Sequence, residues 1–151
     1  MSAATEHFGM AGQTWVGIDH VMLRLVVAHM HMPDALNGGG KFTGQETTAA
    51  ALIVDYAFGE HFDGWWIGTG VELWDSNIGL KTTRERVQWN NVVWTLGGGY
   101  IWRIVDNFYV NPWVAAHVFV SNPEIRIGRE KRKPFPITGE ASLKIGYFFD
   151  L

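Results

Sequence analysis

Gly139-Glu140-Ala141-Ser142-Leu143-Lys144-Ile145-Gly146-Tyr147-Phe148-Phe149-Asp150-Leu151 closes the chain and alternates without a break. Ala141, Leu143, Ile145, Tyr147, Phe149 and Leu151 fall on one parity, and Glu140, Ser142, Lys144, Gly146, Phe148 and Asp150 on the other. Successive side chains of a strand point to opposite faces, so this stretch reads as a ribbon with one apolar and one mostly polar side. The same period recurs upstream. Phe108 to Val120 sets Phe108, Val110, Pro112, Val114, Ala116, Val118 and Val120 against Tyr109, Asn111, Trp113, Ala115, His117 and Phe119, with Pro112 awkward for a central strand. Val92 to Arg103 sets Val92, Trp94, Leu96, Gly98, Tyr100 and Trp102 against Val93, Thr95, Gly97, Gly99, Ile101 and Arg103. Trp65 to Trp74, Thr48 to Phe58 and Val21 to Ala28 repeat the pattern. A shorter candidate lies at Gln13 to Ile18, unless Trp15 to Met32 is one long bent strand.

The closing strand resembles the C-terminal signal strand of bacterial outer-membrane β-barrels, in which apolar residues recur at every second position and an aromatic or other apolar residue ends the chain. Tyr147, Phe149 and Leu151 match, with Leu where Phe is usual. The resemblance implies an antiparallel up-and-down transmembrane β-barrel of about eight strands. It also implies contact with the barrel-assembly machinery through that strand, and outer-membrane lipids as surroundings. Residues 13–151 form the barrel domain in this reading, and 1–12 a disordered or truncated segment. Met1 to Gln13 has neither a basic nor an apolar signal region, so the expectation is that a signal peptide has been removed; either an N-terminal strand is missing with it, or Trp15 to Met32 as one bent strand closes a smaller or partly open structure.

Connection lengths fit that topology. Gly59–Gly64 and Ile104–Asn107 are short and read as periplasmic turns; Pro33–Glu46, Asp75–Arg86 and Ser121–Thr138 are longer and polar and read as extracellular loops. Tyr56, Phe58, Trp65, Tyr100, Trp102, Phe108, Tyr147 and Phe149 sit on the apolar faces beside the short turns or the C-terminus, where a lipid-interface girdle of amphipathic rings belongs.

Composition agrees. Charged residues are only 18% and aromatics 14%, yet no apolar run approaches the roughly 18 residues of a spanning helix. Cysteine is absent, which excludes disulfides and thiolate metal sites. A net charge of −3 argues against nucleic acid as a partner. The competing architecture is a soluble lipocalin-like barrel around a small hydrophobic ligand, which needs a solvated outer face rich in Lys, Glu, Thr and Ser. The second face here is instead small residues (Gly68, Gly70, Gly97, Gly99, Ala49, Ala51) among Trp66, Trp74, Trp113 and Tyr109, which suits a filled lumen. Its charges nearly balance: Asp55, Glu72, Glu140 and Asp150 against Arg24, Arg103 and Lys144. Groups confined in a narrow lumen must pair, so Arg24, Asp55, Glu72, Arg103, Glu140 and Lys144 are expected to form an ion network with little conductance.

Other constellations have plainer accounts. His29 and His31 point the same way around Met30 but lack a nearby third ligand, so no metal or other cofactor is expected. His117, Ser121 and Glu140 share lumen parity and supply the residue types of an acyl hydrolase. Outer-membrane lipid A deacylases carry such a triad with His and Ser two residues apart, facing outward; the spacing here is four, which favours a non-enzymatic protein. Gly38-Gly39-Gly40-Lys41 lacks the first Gly and the final Ser or Thr of a phosphate loop, Ala35 and Phe42 standing there. Arg126, Arg129, Lys131, Arg132 and Lys133, placed outside the cell, would face lipopolysaccharide phosphates. The expected role is structural or interaction-mediating, in the bacterial outer membrane.

Overall fold

Nine strands follow one another in the computed structural model, which describes residues 8–32, 34, 41–83, 85–105, 107–121, 124–133 and 136–149. They are β1 (Phe8–Ile18), β2 (Val21–Met32), β3 (Phe42–Ala57), β4 (Gly64–Leu80), β5 (Arg86–Val105), β6 (Phe108–Phe119), β7 (Ile125–Ile127), β8 (Glu130–Arg132) and β9 (Ile137–Tyr147). Seven form one sheet in the order β1-β2-β3-β4-β5-β6-β9, every neighbour antiparallel. The sheet curls into a half-barrel, and β7–β8 is a separate small hairpin.

Four features settle or differ from the sequence reading, each for a local reason. The Trp15–Met32 stretch is two strands rather than one bent one, because Asp19 takes a left-handed conformation (φ 54°) in a two-residue turn with His20. β1 starts at Phe8, five residues before the alternation becomes readable, since Gly9, Ala11 and Gly12 carry no apolar signal. Most of Asp75–Arg86, expected as a loop, is strand: Asp75 pairs with Asn90 and Gly79 with Arg86. Ser121–Thr138 likewise contains the β7–β8 hairpin.

The outward face is apolar and solvent-accessible. Leu52 is 50% exposed, Val114 61% and Leu143 61%, whereas the inward Asp55 is 3% and Glu72 8% exposed. Leu23, Leu25, Val54, Val71 and Leu73 are exposed on the same face.

Polarity inverts at one level of the sheet. Outward-facing His29, Thr48, Asp75 and Asn90 lie in register across β2 to β5, and the row beneath them is Val27, Ala50, Leu73 and Val92. On the far side of the polar row the inward residues become apolar: Phe42, Ile78 and Leu80 pack with Ile125 and Ile127 of the hairpin, which caps that end. The opposite end is closed by Met22, Ala57, Trp66, Ile101, Tyr109 and Phe148, with Trp15 and Phe62 against them. Phe62 arrives there because the β3–β4 turn is a single 3-10 turn (Glu60–Phe62) whose His61 and Phe62 are left-handed, folding the turn inward.

Candidate functional site

Between the two plugs lies a polar interior. Arg24 of β2 stands opposite Ile53 of β3, so Asp55 is its diagonal neighbour on the same face. Nε and Nη2 donate to the two Asp55 oxygens at 2.7 and 2.9 Å, and Nη1 donates to Gln13 at 3.3 Å. The Asp55 carboxylate occupies the space where a side chain at Gly68 would begin, so this strand glycine makes room for the ion pair. Gly99 similarly leaves room for Trp113 and Asn111 of β6.

A second group is built around Glu72. Trp74 Nε1 donates to it at 2.6 Å and Thr95 Oγ1 at 2.5 Å. Because the Thr95 hydroxyl donates to Glu72, its lone pairs accept from His117 Nδ1 at 2.9 Å. His117 Nε2 lies 3.2 Å from Glu140 on β9. An unpaired buried charge is costly, and this chain of contacts meets that cost for both carboxylates.

Lys144 is arranged differently. Its ammonium lies 3.9 Å from the centre of the Trp113 ring and 5.8 Å from that of Trp66, a cation-π arrangement without a carboxylate contact among the described residues. Trp113 Nε1 is buried and has no acceptor there either. Lys144, Glu140, Glu72, Arg24 and His117 all border a cavity of about 360 Å³ that opens between β1 and β9, with Val26, Ala28, Met30, Ala49 and Ala51 as its apolar wall.

The structure therefore brings Arg24 to Asp55, and Glu72 and Glu140 to His117, in one interior that Lys144 shares. Arg103 sits apart, at the short-turn end: it donates to Asp63, Asn107 and the His61 carbonyl, with its guanidinium 4.5 Å over Phe148. Asp150 lies outside the described residues. Ser121 is exposed beyond the end of β6 and makes no hydrogen bond to His117, whose two nitrogens face Thr95 and Glu140.

The eight girdle residues are all on the outer surface, from 38% exposed at Tyr100 to 78% at Phe149. Tyr56 meets Phe58, Trp65 meets Tyr100 and Tyr147 meets Phe149, ring centres 5.1 to 5.3 Å apart. In the hairpin, Arg126 and Lys131 share Glu124, Lys41 pairs with Glu130, and Arg129 and Lys133 are exposed. Arg132 lies in β8; its side chain, and Gly38 to Gly40, fall outside the description. His29 and His31 face outward, His29 bonded to Thr48. Sequence reasoning missed Phe62 as part of the inner plug, because nothing in a six-residue turn announces which way it folds.

No family model, curated protein or solved structure matches the chain.

Proposed function

We propose that this chain is a small transmembrane β-barrel of the bacterial outer membrane, structural or interaction-mediating, with a filled, ion-paired lumen of little conductance. The observation that carries the reading is the outward apolar band and its two borders. One border is the in-register polar row His29, Thr48, Asp75 and Asn90, beyond which the sheet has polar residues outside and apolar ones inside, as in water. The other is the aromatic set beside the short turns. Between them β4 runs nine residues, Trp65 to Leu73, close to the roughly 9–11 of a spanning strand. On this reading an eighth strand completes the wall, since hydrocarbon does not tolerate an open sheet edge and bacterial single-chain barrels have even strand numbers. The basic hairpin then stands outside the cell beside lipopolysaccharide phosphates.

The soluble alternative gains no support from the faces, because the inner one carries Arg24, Asp55, Glu72 and His117 while the outer carries Leu23, Leu25, Leu52 and Val54. Expression behind a signal peptide, followed by fractionation, tests the proposal. The expected result is an outer-membrane species that needs detergent and shifts in mobility on heating. A detergent-free monomer in the soluble fraction overturns it.

A further inference from the structure

The β7–β8 hairpin has two unlike faces. On one, Ile125 and Ile127 are pinned against Phe42, Ile78 and Leu80, and Lys41 donates to both oxygens of Glu130 at 3.2 and 3.0 Å. With that face fixed, the alternation of the strands turns Glu124, Arg126 and Lys131 to solvent. Arg126 and Lys131 are cross-strand partners, so two cations stand opposite each other on the ladder, an arrangement that by itself is unfavourable. One oxygen of Glu124 answers both: it lies 2.7 Å from Arg126 Nε and 3.4 Å from Lys131 Nζ. The hydrogen bond from Arg126 foremost, and Lys131 after it, hold the Glu124 carboxyl below the ordinary 4.5. No second acceptor meets either cation among the described residues. The neighbouring acids are placed elsewhere, Asp34 with Lys81, Glu46 with Arg86, and Glu85 beside Gly128 at the tip of the hairpin. With side chains between 42% and 67% exposed, the three groups are open to solutes, and an ion pair so placed is weak and readily exchanged.

We propose that Arg126 and Lys131 form an anion site for a phosphate monoester, and that Glu124 is the internal anion which the phosphate displaces. The chemistry favours the exchange. A phosphate monoester carries about −1.5 to −2 charge at neutral pH and three acceptor oxygens, where Glu124 offers a single charge and two oxygens. The planar guanidinium of Arg126 matches two phosphate oxygens at once, and the Lys131 ammonium adds a point charge beside them. The inference deepens the membrane reading above and rests on it for the source of the phosphate, a lipid headgroup in place of a free solute.

The test refolds the chain in dodecyl maltoside, a detergent without phosphate. The Arg126 Nε–H and the hairpin amides are followed by NMR during titration with glycerol 3-phosphate, or with phosphatidic acid mixed into the micelles. Both probes present the same phosphate monoester, one free and one on a lipid. Each is expected to move the Arg126 Nε–H resonance, the lipid at lower total concentration because the micelle holds it beside the site. Arg126→Gln and Lys131→Gln should each weaken binding about ten-fold, and Glu124→Ala should strengthen it about five-fold by removing the competing anion. Glu85→Ala deletes the same charge from the same end without touching the pair, and should change affinity by less than about two-fold at about 0.15 M salt. Three outcomes overturn the inference: an Arg126 Nε–H that neither probe moves, equal gains from Glu124→Ala and Glu85→Ala, or phosphatidic acid inert where glycerol 3-phosphate binds. Failure of the membrane reading is separate and visible first, as a folded monomer without detergent, on which the glycerol 3-phosphate titration still tests the pair.

Discussion

Arg24 and Asp55 show why single residues of this interior are intolerant. Arg24 is 8% exposed and its two closest acceptors belong to one carboxylate. Asp55→Ala leaves that charge, among the described residues, with Gln13 and the Trp66 ring 5.2 Å away, and loss of one partner of a buried pair costs about 3–5 kcal/mol. The expected result in urea titrations of the detergent-folded protein is a loss of that order, with Arg24→Met/Asp55→Ala less damaging than Asp55→Ala because the orphaned charge is gone. Gly68→Ala should cost about 1–3 kcal/mol by forcing a methyl into the Asp55 carboxylate, and the two effects should not add, since they act on one contact. That Arg24 and Asp55 share a side of the sheet follows from parity in the sequence. That they touch does not, because the diagonal contact depends on register, and register depends on where β2 and β3 begin to pair. Arg103 has the same parity but is drawn to the turn by Asp63 and Asn107.

Strands were readable wherever the outward face is uniformly apolar, and unreadable where that pattern stops. β4 alternates legibly up to Leu73; beyond Asp75 the apolar residues Ile78 and Leu80 change sides, so the periodicity breaks although the strand continues to Leu80. The β7–β8 hairpin was hidden for a related reason: Ile125 and Ile127 are too few to show a period among charged neighbours. Both isoleucines are nearly fully buried on Phe42, Ile78 and Leu80, so Ile127→Ala should cost about 2–5 kcal/mol of local packing. The expected outcome is faster tryptic cleavage between Arg126 and Lys133 with the strand content unchanged by circular dichroism. At the same end, Asp34 ties the β2–β3 connection to the β4–β5 turn. Thr43 Oγ1 and the Gly44 N–H donate to it at 2.7 and 2.9 Å, and Lys81 lies 3.4 Å away. The Thr43 hydroxyl foremost, then the Gly44 amide and Lys81, hold its carboxyl below the ordinary 3.8. A lowered folded-state value means that the stabilisation is complete above the unfolded value and is lost as pH falls through the folded one. The Gly44 amide resonance should therefore hold steady from neutral pH down to the ordinary carboxylate range and move below it, a titration absent in Asp34→Asn.

For the molecule as a whole, the decisive quantity is what surrounds the outer face. Leu52 lies midway along β3, half exposed, between Leu25 of β2 and Val71 of β4. If that face met water, Leu52→Arg would be a surface substitution worth no more than about 0.5 kcal/mol in either direction. Against acyl chains the same arginine lies near the midplane, where a charge on the lipid face costs about 2–4 kcal/mol. Asn90→Arg provides the internal control, because Asn90 belongs to the polar row at the border of the band, where the cost falls to about 0–1 kcal/mol. Urea titration of the two variants in phosphatidylcholine vesicles should therefore give a large penalty for Leu52→Arg and a small one for Asn90→Arg. Equal, small effects at both positions would place the outer face in water and remove the membrane reading together with the eighth strand. The inner plug follows from the same picture. Trp15 packs on Phe62 at 5.5 Å and on Phe148 at 5.0 Å, sealing the short-turn end of the lumen. In planar bilayers the unaltered chain should pass little current, and Trp15→Ala/Phe148→Ala should raise conductance several-fold by joining the central cavity to the short-turn side. A current already large in the unaltered chain, or one indifferent to both substitutions, would show that these rings do not close the path.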